Sequence, residues 1–153
     1  LLQREEDLKE YYSSVLSAFE LDDGHFLHKE DKSFFEKMMQ IIDSHIQDTE
    51  LSVELLSNSL GYSTRQFYRK LKNITDKTPA DIIREYRLTI VERLLLTTQL
   101  SIEEIMDKTG FSNRGTFYKA FAQKFEMTPK QYRNIKTKDV HDASEEGGGT
   151  MNV

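Results

Sequence analysis

The chain writes one stretch twice. SVELLSNSLGYSTRQFYRKLKNITDKTP (52–79) aligns with SIEEIMDKTGFSNRGTFYKAFAQKFEMTP (101–129). Val53 matches Ile102, Leu56 matches Ile105 and Gly61 matches Gly110, each 49 positions apart. After one extra residue following Ser112, Phe67-Tyr68 matches Phe117-Tyr118 and Thr78-Pro79 matches Thr128-Pro129, 50 apart. Two copies are too few for a solenoid, so the repeat reads as one supersecondary unit used twice. In each copy a Ser N-cap (Ser52, Ser101) opens a short helix, and Ser101 with Glu104 spells a capping box. Val53, Leu56 and Leu60 supply the apolar face of the first, and Ile102, Ile105 and Met106 that of the second. Gly61 and Gly110 stand where the chain must turn with positive φ. A second helix follows after three or four residues, over 64–75 and 113–125, started by Ser63 and by Ser112-Asn113. That spacing is a helix-turn-helix. Thr78-Pro79 and Thr128-Pro129 then cap the next helix with proline at its first position.

Between the copies, PADIIREYRLTIVERLLLT (79–97) is one long helical pattern with Ile83, Tyr86, Ile90 and Leu94 on a shared face. At about 1.5 Å per residue it spans about 28 Å, close to the roughly 34 Å between successive major grooves on one side of B-DNA. Upstream, residues 1–21 form an amphipathic pattern through Leu8, Tyr12, Val15, Leu16 and Phe19. Residues 22–31 read as a turn or linker. A helix over about 32–47 buries Phe34, Phe35, Met38, Met39, Ile42 and Ile46. With only two Pro and seven Gly, three of them in one tail run, the composition opposes a turn-rich β fold. The expected class is all-α: two helix-turn-helix subdomains joined by a long linker helix, with an extra N-terminal helical connector. The expected division is a connector over 1–31, a domain over 32–138 (first helix-turn-helix about 52–75, second about 101–126) and a disordered acidic tail over 139–153.

Net charge is −5, but it is unevenly placed. Residues 61–138 carry 16 basic and 8 acidic side chains, while 1–31, 32–60 and 139–153 are net −6, −3 and −4. A basic body between acidic ends points to a polyanion partner. On the helix 64–75, Phe67, Leu71 and Ile74 define the buried face. The opposite face holds Arg65, Arg69 and Lys72, flanked by Gln66 and Tyr68. Arg suits a guanine O6/N7 edge, Lys72 suits phosphate, and Ser63 with the helix N-terminus binds phosphate. On 113–125, Phe117, Phe121 and Phe125 are the core positions. Gly115, Lys119 and Ala122 lie opposite, flanked by Thr116 and Gln123, with Arg114 in the first turn. In the Phe register Arg65 becomes Gly115 and Lys72 becomes Ala122. Either this second helix reads fewer bases and anchors phosphate, or Gly115 admits a close backbone approach that leaves Arg114 and Lys119 as readers. The expected phosphate contacts are Ser63, Gln66, Lys72, Ser112 and Gln123. Tyr62, Phe67, Phe111, Phe117, Phe121 and Phe125 read as core, with Tyr68 and Tyr118 exposed.

Other chemistries find little footing. With no Cys there is no disulfide framework, thiol nucleophile or thiolate zinc site. His25 and His28 lack a third ligand, GGG at 147–149 precedes no helix, and no catalytic constellation is spelled, so neither an enzyme nor a cofactor is expected. No apolar run approaches the ~20 residues of a membrane span. A start at Leu rather than Met reads as a fragment, and charged residues at 31%, both signs mixed, fit a cytoplasmic protein. A helical protein-interaction module without DNA binding is the alternative; it would need an exposed apolar groove where this chain shows a cationic stripe. The acidic ends either fold back on the basic face or stay solvated.

Residues 33–136, most clearly IEEIMDKTGFSNRGTFYKAFAQKFEMTPKQYR (102–133), resemble the AraC/XylS-type DNA-binding domain. The resemblance implies base contacts from Arg65, Tyr68 and Arg69, and from Arg114, Gly115, Thr116 and Lys119. It departs at Ser57 and Met106, where Ala is common, and at Asp76 and Glu126, where Gly is usual before the final cap. The upstream part resembles the connector before this domain in hybrid two-component regulators of Bacteroidetes type. That implies an upstream sensor or receiver outside this chain, a bacterial transcription regulator working on double-stranded DNA through two recognition helices in adjacent major grooves, and RNA polymerase as a further partner. Leu1, Leu8 and Val15 at seven-residue spacing allow a homodimer through the N-terminal helix; packing onto its own domain is equally open.

Overall fold

A computed structural model describes residues 2–23 and 28–137. The helices run α1 Leu2–Asp23, α2 Lys29–Ser44, α3 Val53–Leu60, α4 Thr64–Ile74, α5 Pro79–Thr97, α6 Ile102–Lys108 and α7 Arg114–Phe125, with α8 over 129–137. No strand occurs among the described residues. The chain divides into two compact units, Leu1–Ile90 and Val91–Val153, and the division falls within α5. His25 and the tail 139–153 lie outside the described residues.

In the first unit α2 packs against α1, α3 and α4. Its Phe34, Phe35, Met38, Met39 and Ile42 are all buried, a one-sided helical pattern that gives three neighbours a common surface. α2 begins and ends three residues before the expected 32–47. Its start at His28 uses no side-chain cap bond. At its end the Ser44 hydroxyl donates to the Ile41 carbonyl at 2.9 Å and the His45 ring bonds the same oxygen at 2.9 Å. The Ile41 carbonyl also accepts the His45 N–H at 3.1 Å, and the Ile46 N–H bonds the Asp43 carbonyl at 3.3 Å, an i−3 bond that tightens and ends the ladder. Ile46 is buried beyond that end, as its spacing predicts.

α1 docks on α2 and is tied to α5 by polar bonds. Arg4 donates from Nε to Asp43 Oδ1 at 2.8 Å and from Nη2 to the Asp43 carbonyl at 2.7 Å. Tyr86, fully buried on α5, donates to the same Asp43 Oδ1 at 2.6 Å. Tyr11 donates to Glu85 at 2.9 Å, and Lys77 pairs with Glu85 at 2.8 Å. Burial first, and the facing carboxylate second, push both tyrosine hydroxyls well above their ordinary range. Val15 and Leu16 are buried. Of the two readings left open for this helix, its inner face is spent on its own unit. Phe19 lies outside the residues whose side chains are described.

The second unit gathers Val91, Leu95, Ile105, Met106, Phe117, Ala120, Phe121 and Tyr132. Phe121, Phe125 and Tyr132 form an aromatic cluster, with centroids 4.4 Å apart for Phe121–Phe125 and 5.0 Å for Phe125–Tyr132. Phe125, expected in the core, is only half-buried, because it closes the end of α7; Ala120, which the sequence pattern did not single out, is buried. Arg133 on α8 donates to the carbonyls of Leu95, Leu100 and Thr98 at 3.0, 2.7 and 3.3 Å, satisfying one oxygen in the last turn of α5 and two in the connection that follows it.

α5 spans the residues its sequence pattern predicts. Ile83, Tyr86 and Ile90 are buried and Leu94 half-buried; Ile82, Leu88, Val91 and Leu95 are buried as well, so the covered surface is wider than one stripe.

Candidate nucleic-acid interface

Both repeat units build the same turn. Gly61 and Gly110 adopt φ 79 and 78, a region open to glycine at little cost. Just after each glycine, an N–H reaches back into the last turn: Tyr62 to the Ser57 carbonyl at 2.9 Å and Phe111 to that of Met106 at 3.0 Å. The Ser52 and Ser101 hydroxyls accept from Leu55 and Glu104 N–H as caps do. At Ser101 this is one arm of the expected box. Reciprocal boxes close at Ser63–Gln66, Thr78–Asp81 and Thr128–Gln131. The uncommon Ser57 is buried with its hydroxyl donated to the Glu54 carbonyl at 3.2 Å.

The turn sets α4 with Phe67, Leu71 and Ile74 inward. Arg65, Arg69 and Lys72 are exposed, and none of their side chains makes a hydrogen bond or ion pair among the described residues. Their charge is therefore offered to solvent undiminished. Tyr68 stands beside them, 46% exposed, edge-on to Phe67. Ser63 and Gln66 are engaged with each other: Gln66 N–H donates to the Ser63 hydroxyl at 3.2 Å and Ser63 N–H to Gln66 Oε1 at 3.0 Å. What capping leaves for an anion is the hydroxyl proton of Ser63 and the amide N–H₂ of Gln66. Lys70, absent from the expected set, does not join the stripe. It pairs with Asp31 at 3.5 Å and lies over the rings of Phe34 and Tyr62. That contact joins residues 39 apart, which no local pattern signals.

α7 is set by the cap Asn113, whose Oδ1 accepts from Thr116 N–H at 2.8 Å, so Ser112 stands one residue outside the helix. Thr116, Lys119 and Gln123 are exposed, and Lys119 has no hydrogen bond or ion pair among the described residues. Gly115 is exposed as well. A Cβ there would meet Asn113 Oδ1 at 3.3 Å, so the missing side chain also makes room for the cap. Arg114 is not free. Nη1 donates to Glu103 on α6, Nη2 donates to the Tyr118 hydroxyl at 3.2 Å, and the guanidinium lies 5.1 Å from the Tyr118 ring centre. Tyr118 is half-buried rather than exposed, because it packs edge-on against Phe117 and carries this arginine. The Glu103 carboxyl is held below the usual range by its own backbone N–H and then by Arg114. Glu103 was not among the expected residues; its only trace in sequence is an acid in the first turn of α6, 11 positions before the arginine.

Among the described residues, no acidic or histidine cluster is placed to hold a metal, and no helix is long and apolar enough to cross a membrane.

A family model described as a helix-turn-helix domain matches residues 56–135. The chain is 33% identical over 104 residues to histidine kinase P4 of Formosa agariphila, covering 68% of this chain but 8% of that protein. It is 33% identical over 93 residues to the regulatory protein SoxS of Escherichia coli, covering 61% of this chain and 86% of SoxS. Among solved structures, the C-terminal domain of the two-component response regulator yesN from Fusobacterium nucleatum superimposes with a TM-score of 0.60 at 30% identity, over 64% of this chain and 95% of that one.

Proposed function

The chain belongs to the AraC-type helix-turn-helix family of transcription-regulator domains, and from that premise we propose that it is a sequence-specific DNA-binding output domain whose recognition helices are α4 and α7. The observation that carries this reading is the set of three unpartnered cations on the solvent face of α4, beside an N-terminus whose dipole favours anions. Base contacts are assigned to Arg65, Tyr68 and Arg69 on α4, and to Arg114, Gly115, Thr116 and Lys119 on α7. Ser63, Gln66, Lys72, Ser112 and Gln123 contact phosphate. Each phosphate that Lys or Arg neutralises releases counterions, so affinity falls steeply with salt despite the acidic whole-chain balance.

Of the similar proteins, one is named a histidine kinase and one is the C-terminal domain of a two-component response regulator, which supports an upstream sensor or receiver. The reading places the regulator in the cytoplasm, gives it no reaction of its own, and takes RNA polymerase as its downstream partner. A homodimer through α1 would use a face other than that of Val15.

Selecting bound sites from a random duplex pool at several salt concentrations tests the assignment. Arg69→Ala then removes about 1–3 kcal/mol of discrimination at one base position. Lys72→Ala weakens all sequences evenly and lowers the salt slope by about 1. An even loss across sequences for Arg69→Ala contradicts its role as a reader.

A further inference from the structure

The arginine at the start of α7 has a partner that none on α4 has. Arg65, Arg69 and Lys72 are unpaired among the described residues, whereas Arg114 is gripped by Glu103 and Tyr118. Glu103 and Arg114 are both 63% exposed in their side chains, so the pair sits in water and covers no core. The first repeat has no such device. Glu54 matches Glu103, but the residue matching Arg114 in the Phe register is Thr64, and Glu54 pairs with no cation among the described residues.

We propose that Glu103 is a specificity-determining residue acting through Arg114: it holds the guanidinium in an ion pair that a guanine edge displaces and a lone phosphate does not. The inference rests on the DNA-binding reading. An exposed ion pair holds its partners by a factor of about five at most. A bidentate Arg–guanine contact is worth about fivefold to 150-fold, at least a match for the ion pair and over most of that range enough to take the arginine over. Against an arbitrary duplex the paired groups present no net charge, so they release no counterion, and the carboxylate repels the backbone. Glu103 therefore suppresses the sequence-independent part of binding at this helix more than the sequence-dependent part. Tyr118 keeps the guanidinium in place during the exchange through its hydroxyl and its ring face.

The test compares wild type, Glu103→Gln, Arg114→Ala and the double variant on a wild-type-selected duplex and a scrambled one, across salt. Circular dichroism melts confirm that each variant is folded. Glu103→Gln is expected to tighten the scrambled duplex by about threefold to fivefold, to steepen its salt slope by about 0.9, and to tighten the selected duplex less. In the Arg114→Ala background the same substitution should leave the ratio of the two affinities unchanged. An equal gain with and without Arg114 would show that Glu103 acts only as a general negative charge and would overturn the proposal. So would an affinity ratio that stays constant or rises in Glu103→Gln alone. Wild type that binds neither duplex removes the DNA-binding reading first, and this proposal with it.

Discussion

The two helix-turn-helix units share a skeleton and differ in skin. Phe67 and Phe117 are both completely buried, and Gly61 and Gly110 turn at φ 79 and 78. Those positions are fixed by packing and backbone sterics, which admit few solutions. On the outer faces the units diverge: α4 shows three unpaired cations, while α7 shows Lys119 unpaired and Arg114 bound to Glu103. They also end differently. α4 passes into an extended Thr75 (φ −154), whereas α7 ends on Glu126 in the left-handed region (φ 61). Duplicated geometry is compatible with separate chemistry, because solvent-facing positions carry little of the folding energy.

The largest effect expected from probing this comparison is on the shared skeleton. Phe67→Ala and Phe117→Ala should each destabilise their own unit by about 3–5 kcal/mol, read by urea unfolding. A much smaller cost in one copy would mean that its core is not equivalent.

Next comes a bond found only in the first unit. Tyr86→Phe removes the donor to Asp43 and should cost about 1.5–3 kcal/mol. The pH dependence has a definite sign. The folded-state hydroxyl titrates above its unfolded value near 10, so its contribution is complete below about pH 10 and is lost as pH rises through the folded value. Alkaline melts of wild type should show that loss, and Tyr86→Phe should show less of it. In the second unit Tyr132, pushed up to about 12 by burial and then by Glu92, loses its share between about pH 10 and that value.

The smallest effect is at the helix ends. Glu126→Gly should stabilise by about 0.5–1 kcal/mol, since glycine takes the left-handed conformation without strain. Asp76→Gly, at a residue without positive φ, should destabilise by about 0.5 kcal/mol through the freer unfolded chain. Thermal melts giving the same sign for both would erase the distinction between the two endings.

Much of the fold was legible in the sequence, and the reason is local. Thr78-Pro79 and an unbroken apolar pattern placed α5 because capping and periodicity act within a few residues. The exposed face of α4 followed from three core positions and the helical angle. Legibility failed where partners are distant or on another element. Arg4, Asp43 and Tyr86 meet across separations of 39 and 43 residues, and nothing near any of them announces it. The far end of α2 slipped because an i−3 bond from Ile46 to Asp43 closes its last turn with no glycine to mark it, and its start slipped because His28 makes no side-chain cap bond. Arg114 could be placed on the outer surface of α7, but its partner belongs to the preceding helix, which face analysis of one helix at a time does not see.

The guanidinium of Arg133 sets a floor for trimming. Three oxygens after Val91 rely on that single side chain, and its neighbour Tyr132 donates to Glu92. A fragment cut short of Tyr132 forfeits those donors together, leaving the end of α5 and the connection after it open to water and proteases. Shortening from the far end as far as residue 137 touches none of them.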